Sequence, residues 1–403
     1  MSKRTLTAEL RHIRFQTSCV RQAVSAATAA LATILLACAD AATSPTKVAF
    51  TSADPANDGA LPPPNGLVWT TVPSPNRGTL ANELKDLAIL SATDIWAVGE
   101  WNPGVPPTAT GRRTLVEHWN GSSWQLVTSP NASWTGVDLS TLEAVAPVSS
   151  NSIWAVGHAN DFGSFKSTTL IVRWDGIQWN IVPSPNPAGA SMPNELHGLA
   201  VVSQNDIWAV GFQGSPRKSL ILHWNGSSWS NFPNSCGVAL YAVKAISASN
   251  IWAVGEGTTC KFNGQSWTKI PSEEYADFYG VAAVSATDVW AVGRTYYCTY
   301  ACTSVSHIER WNGSKWSEVS HATGSQWSGI VAIAANNVWV VGDNSTWGIS
   351  ERWNGTAWTQ VAVPNAGSGS ALNAVKATGT GQLWAVGRFF TSSGIPRTWT
   401  LRR

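Results

Sequence analysis

The stretch "SATDIWAVGEW", residues 91–101, decides the fold because the chain repeats it. Near copies such as "SSNSIWAVGHA" (149–159) and "SATDVWAVGRT" (285–295) follow at intervals of about 38 to 58 residues. A self-similar unit of this length is typical of repeat architectures. The seven copies are marked by Trp96, Trp154, Trp208, Trp252, Trp290, Trp339 and Trp384.

Each repeat contains four short strand-like runs. In the third repeat they are "LHGLAVV" (196–202), "DIWAVGF" (206–212), "SLILHWNG" (219–226) and "SSWSNF" (227–232). Aliphatic and aromatic runs separated by turn residues are typical of strands, and Asn-Gly or Asp-Gly between the third and fourth runs favours a tight hairpin. Four antiparallel strands per repeat, arranged radially, predict an all-β fold, a β-propeller.

The two chain ends predict how the ring closes. The seventh repeat has only three strand-like runs before the chain stops at Arg403. Residues 67–73, "LVWTTVP", match the fourth runs of other repeats, such as "QWNIVPSPN" (178–186). We therefore predict a seven-bladed β-propeller over residues 67–403, with four antiparallel strands per blade. The N-terminal strand would complete the last blade and hide its sheet edge.

The repeat resembles two propeller families. Its glycine-bounded second strand, followed by a third strand and a tryptophan that opens the fourth, is similar to kelch repeats. The run "VWAV" (289–292) before a hairpin is similar to tectonin-type lectin propellers. The double glycine of kelch repeats is a single glycine here, as at Gly99 and Gly157. The resemblance implies the architecture rather than an activity, because propellers include both binding proteins and enzymes.

The N-terminus predicts export. Basic residues precede the apolar run at 23–37, which is typical of a secretory signal peptide spanning residues 1–37. The "LLAC" sequence that ends at Cys38 resembles a bacterial lipobox, which implies lipidation of Cys38. An ordinary cleaved signal is the alternative. Residues 38–66 are rich in Ala, Pro, Ser and Gly, which favours a flexible tether. The expected product is an extracytoplasmic lipoprotein, in contact with the membrane through its lipid anchor only.

Charge excludes one class of partner. Lys plus Arg number 26 against 24 for Asp plus Glu, and charged residues make up only 12% of the chain. A nucleic-acid-binding protein carries a strongly basic surface, so no nucleic-acid partner is expected. The sequence contains no phosphate-binding loop, nucleophile elbow or zinc signature, so we expect no cofactor and no metal. We also expect a monomer.

Candidate ligand-binding residues lie at two positions of the repeat that vary from blade to blade. Both border the face that carries the loops of variable length, which is where function is often located. The first set lies eleven residues before each repeat tryptophan: Lys85, Glu143, His197, Tyr241, Tyr279, Ser328 and Asn373. The second set lies four residues after it: Glu100, His158, Phe212, Glu256, Arg294, Asp343 and Arg388.

These two sets predict a polar and aromatic funnel around the central axis. Concave openings with a few polar groups and stacking rings favour ligands. The alternative interpretation is that both sets are solvated loop edges. Most tryptophans occupy repeated positions and are predicted to pack between blades. Three of them, Trp101, Trp134 and Trp347, lie in connections instead, and we add Trp101 and Trp347 to the candidate ligand-binding residues.

The sequence favours a non-catalytic, surface-tethered module that binds a glycan, a peptide or a protein. One alternative is a glycoside hydrolase or lyase, which would need a pair of carboxylates. Its candidates are Glu143, Glu100, Glu256 and Asp343, and no motif selects a pair among them. The other alternative is a scaffold for protein assembly.

Four cysteines follow the lipobox: Cys236, Cys260, Cys298 and Cys302. An even number in an exported protein favours disulfides, and three pairings are possible. Cys236 with Cys260 would link parts of the fourth repeat, and Cys298 with Cys302 would brace one long loop. A metal site made of Cys298, Cys302 and His307 lacks a fourth ligand, and we do not predict one.

Overall fold

The computed structural model describes residues 68–104, 111–132, 139–160, 166–272, 276–298, 302–321 and 326–403. These residues form 28 strands in seven four-stranded antiparallel sheets. Within the same ranges, no helix is long and apolar enough to cross a membrane. The proposed signal peptide, Cys38, the whole tether region and Trp134 lie outside the described residues. The predicted all-β, seven-bladed architecture is confirmed.

The first three blades follow one another along the chain, each with its innermost strand first. Blade 1 comprises β2 (Asn82–Ser91), β3 (Asp94–Trp101), β4 (Arg113–Trp119) and β5 (Trp124–Val127). Blade 2 comprises β6 (Ser140–Ser149), β7 (Ser152–Asn160), β8 (Ser167–Trp174) and β9 (Trp179–Ile181). Blade 3 comprises β10 (Asn194–Ser203), β11 (Asp206–Gln213), β12 (Lys218–Trp224) and β13 (Trp229–Asn231).

The remaining blades keep this order, and the last takes one strand from the N-terminal end. Blade 4 comprises β14 (Leu240–Ser247), β15 (Asn250–Gly255), β16 (Thr258–Phe262) and β17 (Trp267–Ile270). Blade 5 comprises β18 (Ala276–Ser285), β19 (Asp288–Cys298), β20 (Cys302–Trp311) and β21 (Trp316–Glu318). Blade 6 comprises β22 (Gln326–Ala334), β23 (Asn337–Asp343), β24 (Gly348–Trp353) and β25 (Trp358–Val361). Blade 7 comprises β26 (Gly369–Ala377), β27 (Leu383–Phe390), β28 (Pro396–Arg402) and β1 (Thr70–Val72).

The N-terminal strand closes the ring. Strand β1 pairs antiparallel with β28, with Thr71 opposite Leu401. The neighbouring Trp69 is 2% exposed, and its indole N–H donates to the Ser350 hydroxyl in blade 6 at 2.9 Å. The innermost strands of the last and first blades, β26 and β2, are also in contact. The predicted completion of the last blade by residues 67–73 is confirmed, because one strand of that segment occupies the missing place.

Tryptophans fill the space between blades in a repeated arrangement. Trp96 of blade 1 packs on Trp174 and Trp179 of blade 2, with ring centroids 4.9 and 5.6 Å apart. The arrangement also spans the closure, where Trp384 of blade 7 packs on Trp119 of blade 1 at 5.0 Å. Tilted and edge-on aromatic pairs add to the gain from burying their large apolar area. The repeated tryptophans are therefore packing residues, as the sequence predicted.

The repeat glycine is fixed by a bulge in the innermost strand. In blade 1 the ladder between β2 and β3 is shifted between Leu84 and Asp86, so Lys85 is the extra residue. The bulge brings the Glu83 carbonyl so close to Gly99 that an added Cβ would overlap it. The other repeat glycines meet the innermost-strand backbone in the same way: Gly157, Gly211, Gly255, Gly293, Gly342 and Gly387. The glycine is therefore required by close backbone approach.

The structure contains a disulfide between Cys236 and Cys260, whose Cα atoms are 5.6 Å apart. It links the segment before β14 to β16, and both cysteines are buried. This is one of the pairings that the sequence left open. Cys298 and Cys302 are opposite each other in the ladder between β19 and β20, and their pairing stays a prediction. His307 is the third residue of the cysteine-based metal site considered from the sequence. It is buried, and its Nε2 lies 3.1 Å from Glu309 Oε1.

Candidate functional site

The first set of variable residues surrounds one end of the central channel. In every blade the residue of this set is the extra residue of the innermost-strand bulge. Bulges re-aim side chains, and here they direct seven of them toward one cavity. The cavity is lined by the whole set, which we call the mouth ring: Lys85, Glu143, His197, Tyr241, Tyr279, Ser328 and Asn373.

The mouth ring belongs to the face with variable loops. Because the strands of each blade are antiparallel, the second-to-third connections and the blade-to-blade connections emerge at the same face. The cavity inside the ring measures about 130 Å³. Small-molecule sites usually measure roughly 300–1,000 Å³, so a ligand could place only one group inside the ring.

One side of the mouth is aromatic. The rings of Tyr241 and Tyr279 stack with centroids 5.4 Å apart, and His197 meets Tyr241 edge-on at 5.7 Å. The Arg294 guanidinium lies 5.4 Å from the Tyr279 ring centroid, and Phe212 stacks on His197 at 5.5 Å. Burial raises the pKa of both tyrosines, so their hydroxyls keep their protons at neutral pH. We call these five residues the aromatic arc; it offers flat faces together with donor groups.

The opposite side of the mouth is built on a buried carboxylate. Glu83 is 7% exposed and lies 3.1 Å from the Lys85 ammonium and 2.6 Å from the Arg388 guanidinium. Its other contact is the Asn373 side-chain amide, which donates at 2.8 Å. Burial alone would raise the pKa of Glu83, but the two cations outweigh it and hold the pKa below its usual range. Three candidate residues are thus fixed in place by one residue that the sequence did not select.

The second set of variable residues lies at the junctions between blades. At several junctions the residue of this set contacts the next blade two positions before the mouth-ring residue. The Thr141 hydroxyl donates to Glu100 at 2.6 Å, and Arg294 donates to Gln326 at 3.0 Å. Arg388 makes the corresponding contact across the ring closure. At these junctions, the second-set residue therefore differs between blades because the residue that it contacts on the next blade differs.

The junction between blades 4 and 5 brings two carboxyl groups together. Glu256 forms an antiparallel β-bridge with Asp277. Burial, followed by the charge of Glu256, raises the pKa of Asp277. The junctions after blades 3 and 6 have an alanine at the receiving position, Ala239 and Ala371. There Phe212 joins the aromatic arc instead, and Asp343 accepts from the backbone N–H of Ser345 in its own loop at 2.8 Å.

The junction between blades 2 and 3 brings two imidazoles and a carboxylate together. His158 Nδ1 lies 3.9 Å and His197 Nε2 lies 3.4 Å from the same Glu195 oxygen, Oε2. Burial lowers the pKa of His158, so its imidazole is neutral at pH 7. Burial opposes ionisation of Glu195, but the contact with His197, the charges of the imidazoles and the Ser167 hydroxyl outweigh it and lower its pKa to about 2.

Two candidate tryptophans do not line the mouth cavity. Trp101 is half-buried, and the Arg77 guanidinium lies 4.9 Å from its ring centroid. Trp347 is also half-buried, and its backbone N–H donates to Asn344 in the turn between β23 and β24. The structure thus gathers the first candidate set around one cavity and leaves these two tryptophans apart from it.

Sequence reasoning missed Glu83, Glu195 and Asp277, which lie two residues before mouth-ring positions. A usable signal was present. Residues two apart in a strand share a face, so a charged residue at this spacing can contact the same surroundings as the mouth ring. The bulge at the mouth-ring position and the neighbour on the next blade could not be read from one repeat.

Comparisons with protein-family models and with curated proteins found no match. Among solved structures, the chain is similar to that of U3-55K, at 12% identity and a TM-score of 0.53, over 83% of this chain and 98% of that one. It is similar to the RRP9 WD40 repeats, at 13% identity and a TM-score of 0.54, over 83% and 97%. It is also similar to YCF48 from Cyanidioschyzon merolae, at 13% identity and a TM-score of 0.53, over 83% and 98%. A likeness at such low identity shows a shared propeller fold.

Proposed function

We propose that this protein is a non-catalytic binding module that takes a glycan or a polypeptide ligand at the mouth of its central channel. The observation that carries this proposal is the set of seven innermost-strand bulges. The bulges direct chemically different side chains to one opening, although the surrounding residues repeat. Packing requires the glycine and the tryptophan of each repeat, whereas nothing in the packing requires a stacked tyrosine pair at the mouth.

The mouth suits a ligand that inserts one group and lies across the variable face with the rest. The ring cavity holds only about 130 Å³. The aromatic arc can stack on the flat face of a sugar ring or of an aromatic side chain. Arg294 and Lys85 would provide donors for oxygen atoms of the same ligand. The kelch-like or tectonin-like character of the repeat belongs to this proposal and rests on the sequence motifs.

The test is a screen of the full chain against glycan and peptide arrays, followed by titration of the best ligand. Replacing Tyr241 or Tyr279 by Ala should weaken binding up to roughly 10-fold, since a lost stacking contact costs about 0.5–1.5 kcal/mol. The thermal unfolding midpoint should stay nearly unchanged. The matched control is Ile177→Ala, because Ile177 is 85% exposed in the hairpin between β8 and β9 on the other face.

Three outcomes would contradict the proposal. Unchanged binding in both tyrosine variants would place the ligand elsewhere. Turnover of a polysaccharide that is lost in Glu143→Gln would favour the carbohydrate-active enzyme instead. A constant protein partner recovered by crosslinking, with all mouth variants still bound, would favour the assembly scaffold.

We further propose that the protein is exported as a bacterial-type lipoprotein, lipidated at Cys38, and acts as a monomer tethered to a membrane surface by residues 38–66. The disulfide between Cys236 and Cys260 supports an oxidising compartment. In cells, Cys38→Ala should move the protein from the membrane fraction to the soluble fraction. Mass spectrometry should find acyl chains on the protein that keeps Cys38 and none on the variant. Equal membrane association of both forms would contradict the lipid anchor.

A further inference from the structure

The junction of blades 2 and 3 carries a cluster of potential metal ligands. His158 lies near the end of the second strand of blade 2, and Glu195 and His197 lie two residues apart on the innermost strand of blade 3. One ligand atom from each side chain lies within 4.8 Å of the other two. Two imidazoles with one carboxylate form a ligand set used for zinc and for other first-row divalent metals.

The spacing of the ligand atoms suits an ion between them. Ligands about 2.1 Å from a metal lie roughly 3.4 Å apart at a tetrahedral angle. The distance from His197 Nε2 to Glu195 Oε2 is 3.4 Å, and that from His158 Nδ1 to the same oxygen is 3.9 Å. All three ligand atoms lie within 4.8 Å of one another, so the cluster must contract to bring them to bonding distance.

Both imidazole nitrogens that face the carboxylate are buried and make no hydrogen bond to the described residues. His158 is only 7% exposed, so water cannot readily satisfy its Nδ1. A buried polar atom without a hydrogen-bond partner costs free energy. Both atoms lie within 4 Å of one Glu195 oxygen without forming a hydrogen bond to it, so a cation bound among the three atoms would satisfy both nitrogens.

Neighbouring side chains orient these ligands. The Ser167 hydroxyl donates to Glu195 Oε1 at 3.0 Å, which leaves Oε2 for the cluster. Phe212 stacks nearly parallel on the His197 ring, at an angle of 15°. In metal sites, the residues around the ligands hold the ligand carboxylates by hydrogen bonds and fix the orientation of the ligand rings.

We propose that His158, Glu195 and His197 bind a divalent first-row metal ion, with Zn²⁺ as the best fit. Three protein ligands leave at least one position open. His197 also lines the mouth cavity, so the metal site lies next to the proposed ligand site. The metal site requires no partner, so it stands independently of the proposed function. The sequence predicted no metal, because the three ligands come from two blades and form no contiguous motif.

The experiment titrates Zn²⁺ into the metal-free full-length chain by calorimetry and follows Co²⁺ binding by its visible absorption. We expect one ion per chain. Glu195→Gln and His197→Gln should each weaken Zn²⁺ binding more than roughly 10-fold. Even the loss of a residue that only hydrogen-bonds to a metal ligand typically weakens metal affinity by about that factor. The Co²⁺ spectrum should change in both variants.

The matched control is His223→Gln. His223 Nε2 lies 2.9 Å from an Asp206 oxygen, so it pairs with a carboxylate outside the His158 cluster. This variant should bind Zn²⁺ like the unmodified chain. The proposal is overturned if no ion binds stoichiometrically, if both ligand variants bind Zn²⁺ unchanged, or if His223→Gln also abolishes binding. Should Glu195→Gln fail to fold, the His197→Gln variant decides alone.

Discussion

Single buried carboxylates differ in their partners, and this difference sets the sign of their effect on stability. Glu117, on β4, is fully buried, and among the described residues its side chain has one hydrogen-bond partner, the Ser74 hydroxyl, which donates at 2.6 Å. Its second carboxylate oxygen has no hydrogen bond within the described residues. Glu83 is nearly as buried but faces Lys85 and Arg388. The first carboxyl is held neutral by its surroundings, and the second is held ionised.

We predict that Glu117→Gln removes a pH-dependent loss of stability. Burial raises the pKa of Glu117 to about 8. Between its ordinary pKa and 8, the folded chain therefore holds a proton that the unfolded chain has lost, so stability falls as pH rises, by about 1.4 kcal/mol per pH unit. Denaturant unfolding at pH 5, 6.5 and 8 measures this effect. The free energy of unfolding of the variant should rise relative to that of the unmodified chain at each increase in pH. Parallel stability curves would contradict the raised pKa.

The opposite sign is expected for Glu83→Gln. The lowered pKa of Glu83 means that its contribution is present above its unfolded pKa and is lost as pH falls through the folded value. Loss of this charge should destabilise the protein by roughly 3 kcal/mol at pH 7, because two partly buried cations lose their partner. The difference between variant and unmodified chain should shrink at pH 3. A constant difference across this range would show that packing, rather than charge, is responsible.

For single residues, the repeat predicted which positions lie at the mouth but not which side chains they contact. The alignment of copies placed Lys85 and Tyr241 at one equivalent position, and the structure brings both to the mouth. The contact between Arg388 and Glu83 joins residues 305 apart, and only ring closure brings them together. Variety at the second position therefore looked functional in the sequence, although at several junctions it matches a neighbour on the next blade.

At the level of the strand pair, the bulge and the repeat glycine form one unit. Strands, hairpins and the disulfide-compatible cysteines follow from local sequence. The bulge does not, because a single extra residue in the innermost strand leaves no local motif in the sequence. The invariant glycine was its indirect signal. A residue with φ below zero does not need to be glycine for conformational reasons. When it must still be glycine, another backbone atom occupies the place where its Cβ would lie.

We predict that Gly99→Ala displaces the bulge of blade 1. The new Cβ would overlap the Glu83 carbonyl, so either β2 moves or the strand pair weakens, at a cost of roughly 2 kcal/mol or more. The thermal unfolding midpoint measures this cost. Gly379→Ala is the matched control, because an added Cβ there meets nothing within 4 Å, and it should leave the midpoint unchanged or slightly higher. Equal effects of both substitutions would refute the role of the bulge.

At the level of the whole molecule, one short strand decides whether the ring is closed. Strand β1 provides the only partner that β28 has on that side among the described strands. Its backbone accepts from the Thr400 hydroxyl at Val72, and the Thr70 hydroxyl donates to the Arg402 carbonyl. The strand is three residues long, and the adjacent Trp69 packs edge-on against Trp339 of blade 6 at 6.2 Å. Closure was predictable because a strand missing at one terminus matched an extra one at the other.

Two truncations test this closure. Removal of residues 1–66 should leave the unfolding midpoint unchanged, because blade 7 keeps all four of its strands. Removal of residues 1–73 should lower the midpoint by roughly 10 °C or more, since a buried tryptophan and one strand are lost together. The unpaired edge of β28 should then pair between molecules, so light scattering should show self-association that rises with concentration. A point variant separates the two effects: Trp69→Ala should lower the midpoint without self-association, whereas Val68→Ala, at a side chain 47% exposed, should do neither. A shorter chain that unfolds at the same midpoint and stays monomeric would mean that the ring holds without its N-terminal strand.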